Sequence, residues 1–395
     1  MTKAGKLLTF EFVSLNCVSF FAFCNLSVFY GFYTYLGRIG IPEEWRGFLL
    51  GLEPMTAFAL RLAVVPLLHG GNAATAMLVS LVMIIVALCS YSVALTIPAL
   101  VLLRIFHGAA FVVLVSSSMA MVVHFIPKER SAQGFSIVSL SSLIPYAVMP
   151  LVVEFLLRRI PNEAHIYALV SILGLPGIVL LHGIRPRLRR AVEGMGSALV
   201  KRPTAGELFL CLRQRDVLLL LCVSLLLYFC HATVFFFMKT LVTAHGFGNP
   251  GLFFSISTAA MILVRLLGGA LLDRVNRLRV LSISALLLSL CLVLLARATS
   301  PLAFSLVALF YGTSMSGALP LLTAVLFRIS PPQLRGINTN LALFMMDGGY
   351  ILGTYIGGLL LAAGWSPSSP FYASGGLALC ATLLLLATRE DPADA

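Results

Sequence analysis

The stretch Arg265-Leu-Leu-Gly-Gly-Ala-Leu-Leu-Asp273, residues 265–273, repeats a pattern that stands earlier in the chain. Arg61-Leu62 precedes Arg265-Leu266 by 204 residues, and His69 occupies the place of Asp273. The same offset, with one residue of slip in the last case, relates further positions: Gly47 and Gly251, Gly108 and Gly312, Pro127 and Pro331, and Pro127–Arg130 and Pro332–Arg335. The sequence therefore predicts two related halves.

The composition is that of a membrane protein. The 395 residues are 59% hydrophobic and 11% charged, and the mean hydropathy is +1.00, far above the values of soluble domains. Apolar stretches of about 20 residues, enough for a helix to cross a bilayer, recur throughout. They predict helices, since the strands of a barrel would alternate in shorter segments. We predict twelve spans, near residues 10–36, 46–68, 73–96, 98–123, 133–157, 165–184, 216–242, 250–272, 277–299, 301–327, 336–362 and 369–388.

The spans divide six and six around a polar stretch. We expect an all-α membrane protein with a six-helix bundle over 1–184, a basic cytoplasmic linker over 185–215 and a second bundle over 216–395. A half-length repeat in a membrane protein is typical of transporters whose two bundles enclose a site near the midplane and give access to it alternately.

The basic charge follows the membrane topology. The chain carries 27 Lys and Arg residues and a net charge of +12. Eighteen of these residues lie in segments that face the cytoplasm if both termini are inside, six lie on the other face, and three lie within spans. This positive-inside bias predicts cytoplasmic termini, with anionic lipids as partners. We expect no nucleic-acid partner, because no basic patch is interleaved with stacking aromatic residues.

The sequence contains no recognisable enzyme or metal motif. The eight cysteines lie in or near apolar spans without C-x-x-C spacing, so we interpret them as small hydrophobic residues. No nucleotide loop or catalytic triad is present. We expect no cofactor, no metal and no enzymatic activity.

The loop between the eighth and ninth predicted spans carries a recognisable motif. Gly269-Ala-Leu-Leu-Asp273-Arg274-Val-Asn-Arg277-Leu-Arg279 resembles the loop signature of the major facilitator superfamily, G-x-L-x-D-R-x-x-R-R. The resemblance implies a cytoplasmic clasp in which Gly269, Asp273, Arg274 and Arg277 hold one state closed. An acid at a helix end can pair with basic residues and with the N-terminus of a neighbouring helix.

The first-half copy of this motif, residues 65–73, has His69 in place of the acid and lacks the basic residues. We therefore expect the second half to carry the clasp. The subfamily resemblance is to the sugar-efflux-like and drug-efflux-like bacterial permeases.

Residues 100–110 are similar to the fourth-helix motif of proton-linked members of the superfamily, L-x-x-x-R-x-x-Q-G-x-G-A. Arg104 matches the motif, and His107 stands where glutamine is usual. An arginine within a span should face a partner or a wet cavity, so the resemblance implies a cavity-facing Arg104 involved in coupling. The alternative is an arginine that pairs with a neighbouring helix and positions it.

The antiporter signature of the fifth helix is nearly absent, since only Pro150 remains. A comparable glycine pattern stands in the eleventh span instead, at Gly349, Gly353, Gly357 and Gly358. Symport and antiport therefore both stay open.

Other charges within spans supply further candidates. Asp347 and Glu53 are the proposed proton carriers, because a carboxyl group buried in a span can bind and release a proton. Arg61 and Arg265 occupy equivalent positions in the two halves and are candidates for binding an anion. Alternatively, each anchors its own helix to the clasp.

The superfamily lines its cavity with the first, fourth, seventh and tenth helices. The resemblance therefore implies that Arg104 and His107 face the cavity together with five further substrate-contact candidates: Asn25, Tyr228, His231, Tyr311 and Ser314.

We predict a monomeric secondary transporter of the bacterial inner membrane that exports a small organic or amphipathic compound in exchange for or together with protons. Three arginines within spans motivate an alternative, the proton-linked transport of an organic anion. An alternative of another class is a membrane sensor or scaffold that has the fold without transport.

Overall fold

The computed structural model describes residues 7–64, 67–68, 70–122, 125–126, 131–191, 205–246, 249–272, 276–330 and 335–388. These ranges consist of helices and short connections, with no strand among them. The helices in chain order are α1 (Phe10–Ser27), α2 (Phe32–Arg38), α3 (Glu43–Val64), α4 (Gly70–Ser90), α5 (Ile97–Val122), α6 (Ser131–Leu157), α7 (Glu163–Ser171), α8 (Gly174–Ala191), α9 (Ala205–Arg213), α10 (Arg215–His245), α11 (Pro250–Leu272), α12 (Arg277–Ala296), α13 (Pro301–Ile329), α14 (Arg335–Ala362) and α15 (Ser369–Ala387).

Among the described residues, ten spans are long and apolar enough to cross a membrane. Two of them join a pair of helices, namely α1 with α2 and α7 with α8. The remaining two predicted spans correspond to α3 and to the shorter apolar segment Pro250–Arg265 of α11. Five charged residues lower the hydropathy of α3: Glu43, Glu44, Arg46, Glu53 and Arg61. The predicted all-helical membrane fold is confirmed.

Local sequence explains where several helices begin and end. The side chains of Thr9, Asn162, Asn276 and Ser300 accept hydrogen bonds from backbone N–H groups in the first turns of α1, α7, α12 and α13. Such caps satisfy donors that have no partner within the helix. The long helix α10 is followed directly by Gly246, which caps its end and whose φ of 70° suits a residue without a Cβ atom.

Contacts group the chain into two compact units. The first contains Met1–Phe29 and Thr56–Arg202, and the second contains Tyr30–Met55 and Pro203–Ala395. The first part of α3, up to Met55, thus packs with the later helices of the chain. The division at 1–184, 185–215 and 216–395 stays a prediction from the sequence.

Each unit has the same internal packing order. In the first, α1 packs on α6 and α8, and α4 packs on α5 and α8. In the second, α10 packs on α14 and α15, and α12 packs on α13 and α15. When the spans of each half are numbered from one to six, the first span packs on the fifth and sixth in both halves. The third span packs on the fourth and sixth in both halves. The two halves that are related in sequence by an offset of 204 residues therefore pack their helices in the same order.

Candidate functional site

The second unit is built around a close contact between α10 and α14. Gly349, Gly353 and Gly357 recur every four residues, so they lie on one face of α14. A Cβ atom at Gly349 would lie 2.6 Å from the carbonyl oxygen of Leu225, and one at Gly353 would lie 2.7 Å from that of Phe229. The absence of side chains therefore lets the two backbones approach. The glycine pattern of the eleventh span is explained by packing.

This contact brings polar side chains of the two helices together. The hydroxyl of Tyr350 lies 2.9 Å from Nδ1 of His231, and its ring lies 6.2 Å from the ring of Tyr228 at an angle of 34°. Tyr350 was not predicted from the sequence. It stands three residues after Asp347, on the same face of the helix, and this spacing could have identified it.

A buried acid, Asp347, and a partly buried base, Arg265, both lie near Tyr228. Asp347 is 5% exposed, and Tyr228 interacts electrostatically with both Asp347 and Arg265. Four of the predicted residues, on three helices, thus lie in one connected group with Tyr350. We refer to Tyr228, His231, Arg265, Asp347 and Tyr350 as the second-unit cluster.

The other proposed proton carrier, Glu53, lies in the part of α3 that belongs to the second unit and is 5% exposed. Two residues earlier, a Cβ atom at Gly51 would lie 2.9 Å from Oγ1 of Thr354 on α14. Gly47 similarly abuts Gly358. This part of α3 is therefore held tightly against α14.

Tyr311 and Ser314 join helices within the second unit. The ring of Tyr311 is 5.4 Å from the ring of Phe253 on α11, and Tyr311 is 3% exposed. The hydroxyl of Ser314 donates to the backbone carbonyl of Ser284 on α12 at 2.6 Å. Both side chains thus contact neighbouring helices.

In the first unit, Arg104 and His107 lie inside an aromatic cluster. Arg104 is fully buried, and its guanidinium carbon lies 5.6 Å from the centre of the Phe29 ring. Nδ1 of His107 lies 3.3 Å from the hydroxyl of Tyr91. The Phe29 ring in turn packs 4.5 Å from that of Tyr167. The sequence did not identify the three aromatic residues, because such residues are common in apolar helices.

Asn25 is a buried polar residue of the first unit whose amide group has no hydrogen-bond partner among the described residues. It is 1% exposed. It lies on α1, four residues before Phe29, and beside Gly174, where α8 begins. An unpaired buried amide costs about 1–3 kcal/mol, so Asn25 is suited to bind a polar group of a solute.

The remaining predicted residues are placed as follows. Asp273, Arg274 and His69 lie outside the described residues. Gly269 lies in the last turn of α11, and Arg277 is the first residue of α12. Arg61 lies partly buried in the section of α3 that belongs to the first unit.

The family comparison covers nearly the whole chain. A family model of the Major Facilitator Superfamily matches residues 15–264 and again residues 249–395. A sequence search of curated proteins finds no significant match.

Solved structures share the fold. A crystal structure of the nucleoside transporter NupG superposes with a TM-score of 0.78 at 14% identity, covering 96% of this chain and 98% of that chain. A POT family transporter in complex with a thioalcohol-conjugated peptide gives 0.73 at 13% identity, covering 96% and 94%. A mutant of the peptide transporter POT gives 0.72 at 12% identity, covering 96% and 93%. With a family match over nearly its full length and the same fold in solved transporters, the chain belongs to the Major Facilitator Superfamily of membrane transporters.

Proposed function

We propose that the chain is a proton-coupled secondary transporter that exports a small organic or amphipathic compound by alternating access. The observation that carries this proposal is the second-unit cluster, where the buried carboxyl group of Asp347 interacts with Tyr228 beside the His231–Tyr350 hydrogen bond. Ionisable groups within spans are costly and commonly mark ion or substrate pathways.

Asp347 is the proposed proton carrier of the cluster. Protonation converts its carboxylate from an acceptor into a group that also donates a hydrogen bond and removes its negative charge. Both changes act on Tyr228, which interacts with the acid and the base alike. Proton binding can therefore alter the ring positions that a substrate would contact.

The substrate class follows from the side chains of the cluster. Tyr228, His231 and Tyr350 offer two phenol rings, an imidazole ring and polar edges. Such a surface suits a compound with a planar or ring-shaped part and a few polar groups. The solved relatives that share the fold include transporters of nucleosides and peptides, which supports testing both classes. Export rests on the resemblance to efflux permeases.

A second candidate function is proton-linked transport of an organic anion. Arg265 stands beside Tyr228 in the second unit, and Arg61 occupies the equivalent place in the sequence of the first half. If the substrate is acidic, replacing either arginine by glutamine should weaken binding of acidic compounds more than binding of neutral ones.

Gating is assigned to the clasp predicted by the family motif. Asp273, with Gly269, Arg274 and Arg277, would hold the cytoplasmic side closed in one state. We further propose that the protein acts as a monomer in a bacterial inner membrane with both termini in the cytoplasm.

Transport itself is tested with purified protein in proteoliposomes. Candidate solutes are first selected because a bound ligand raises the unfolding temperature. We expect a selected solute to accumulate against its gradient when a pH gradient is imposed. We expect no accumulation after a protonophore is added. A protein that binds solutes but moves none of them would support the alternative of a sensor or scaffold.

A further inference from the structure

A groove on the first unit lies outside the aromatic cluster and the Asn25 site. It has a volume of about 430 Å³ and is lined by residues of α3, α4 and α5. Its apolar wall includes Leu60, Val79, Met83 and Val113. Val79 is 54% exposed, so the groove is open on the side of α4 that the unit leaves uncovered.

One arginine contacts a residue at the polar end of this groove. Nη2 of Arg185 on α8 donates to Oγ1 of Thr75 at 2.8 Å, and Thr75 is a lining residue. Among the residues that the structure describes, no carboxylate pairs with Arg185. The nearby Arg187, in contrast, pairs with Glu11 at 3.2 Å.

Positive charge extends beyond this arginine. Arg189 and Arg190 lie in the last turn of α8 and are exposed. No carboxylate of the described chain pairs with either of them. Together with Arg185 these two residues form a basic cluster at the end of α8, and of the three side chains it is Arg185 that is hydrogen-bonded to a residue lining the groove.

Thr75 and Arg185 lie at a level of their helices where the headgroup of a lipid would lie. Thr75 lies five residues after the start of α4 at Gly70, about 7.5 Å along the helix. Arg185 lies six residues before the end of α8 at Ala191, about 9 Å along that helix. Both lie near one end of their spans, where lipid headgroups meet hydrocarbon.

We propose that the groove binds an anionic phospholipid, with an acyl chain along Val79, Met83 and Val113 and its phosphate on Arg185. A guanidinium group binds phosphate through paired, charge-assisted hydrogen bonds. The apolar wall accepts a chain that a free phosphate ion lacks. The charge of Arg185, which no carboxylate of the described residues neutralises, favours an anionic headgroup over a zwitterionic one.

The site is tested by native mass spectrometry of the purified full-length protein titrated with phosphatidylglycerol or phosphatidylcholine. Three variants are compared with the wild type: Arg185→Gln removes the phosphate contact, Val79→Trp fills the groove without changing any charge, and Arg189→Gln is the matched control on the same helix. We expect Arg185→Gln to weaken phosphatidylglycerol retention about tenfold, the loss expected for one hydrogen bond to a charged group. Val79→Trp should also weaken it, because the indole ring occupies the space of the acyl chain. Arg189→Gln should leave it within about twofold.

Two outcomes would overturn the proposal. Equal retention of the two lipids by the wild type would exclude headgroup selection. Equal weakening by Arg185→Gln and Arg189→Gln, with none by Val79→Trp, would show that the basic cluster attracts lipids without using the groove. Because Val79 is exposed, the Val79→Trp variant keeps the test decisive even if Arg185→Gln folds poorly.

Discussion

The hydroxyl of Tyr350 lies 2.9 Å from Nδ1 of His231 and links α14 to α10 one turn from the buried Asp347. The link is held in place by Gly349 and Gly353, whose lack of side chains lets the two backbones touch. If Asp347 binds the coupled proton, as proposed, that proton would act next to a close contact between two helices.

Removing the phenol hydroxyl tests whether this link serves substrate binding. We expect Tyr350→Phe to weaken substrate binding about fivefold to tenfold, the effect of losing one polar contact of about 1 kcal/mol. The measurement is the ligand concentration that raises the unfolding temperature. Tyr355→Phe, at an exposed position of the same helix, is the control and should leave binding unchanged. Equal effects of the two variants would remove Tyr350 from the site.

Neutralising the buried acid tests proton coupling. Asp347→Asn keeps the size of the side chain but cannot exchange a proton, so we expect solute exchange between equal compartments to persist while accumulation driven by a pH gradient is lost. Both rates are measured in proteoliposomes. Glu44→Gln, at an exposed position near the start of α3, should retain both. Full pH-driven accumulation by both Asp347→Asn and Glu53→Gln would exclude the proposed proton carriers.

Adding a methyl group to the contact between α10 and α14 tests the packing account. A Cβ atom at Gly353 would meet the Phe229 carbonyl oxygen at 2.7 Å, and overpacking of this kind costs about 1–3 kcal/mol. Gly353→Ala should therefore lower the thermal unfolding midpoint in detergent. Gly376→Ala on α15, where no atom lies within 4 Å of the added group, should leave the midpoint unchanged or slightly raised. If Gly353→Ala unfolds at the same temperature as Gly376→Ala, close backbone contact is not what selects glycine there.

The buried arginine of the first unit tests the alternative roles left open by the sequence. Arg104 is fully buried with its guanidinium over Phe29. If Arg104 takes part in coupling, Arg104→Lys should fold and exchange solute but lose most of its pH-driven accumulation, because an ammonium group cannot reproduce the planar contacts of a guanidinium. If it only positions a helix, the variant should lose thermal stability and keep the ratio of accumulation to exchange.

Much of the fold could be predicted because length and hydrophobicity identify a span without reference to its neighbours. The cost of burying charge likewise identified Asp347 and Arg265, which the structure places beside Tyr228. Packing partners could not be predicted in this way. Tyr350 was missed because a tyrosine in an apolar helix stands out only through its spacing from a buried acid, here Asp347 three residues earlier.

Burial was also misjudged near the end of one predicted span. Lys239 is one of the six basic residues that the charge count assigns to the non-cytoplasmic face, yet it lies within α10 and is 5% exposed. Its ammonium group lies 5.5 Å from the centre of the Tyr30 ring, and its stem packs on Gly31. A long aliphatic stem and an aromatic neighbour make this burial possible, and neither is visible in a hydropathy profile.

The most direct test of proton-coupled transport follows proton movement itself. Wild-type protein is reconstituted in vesicles that contain a pH-sensitive dye, and a gradient of a solute that stabilises the protein is imposed in the absence of a pH gradient. The account predicts that movement of the solute changes the internal pH, and that Asp347→Asn moves the solute by exchange without this change. Solute movement by the wild type at constant internal pH, under conditions where a protonophore has no effect on the rate, would contradict it.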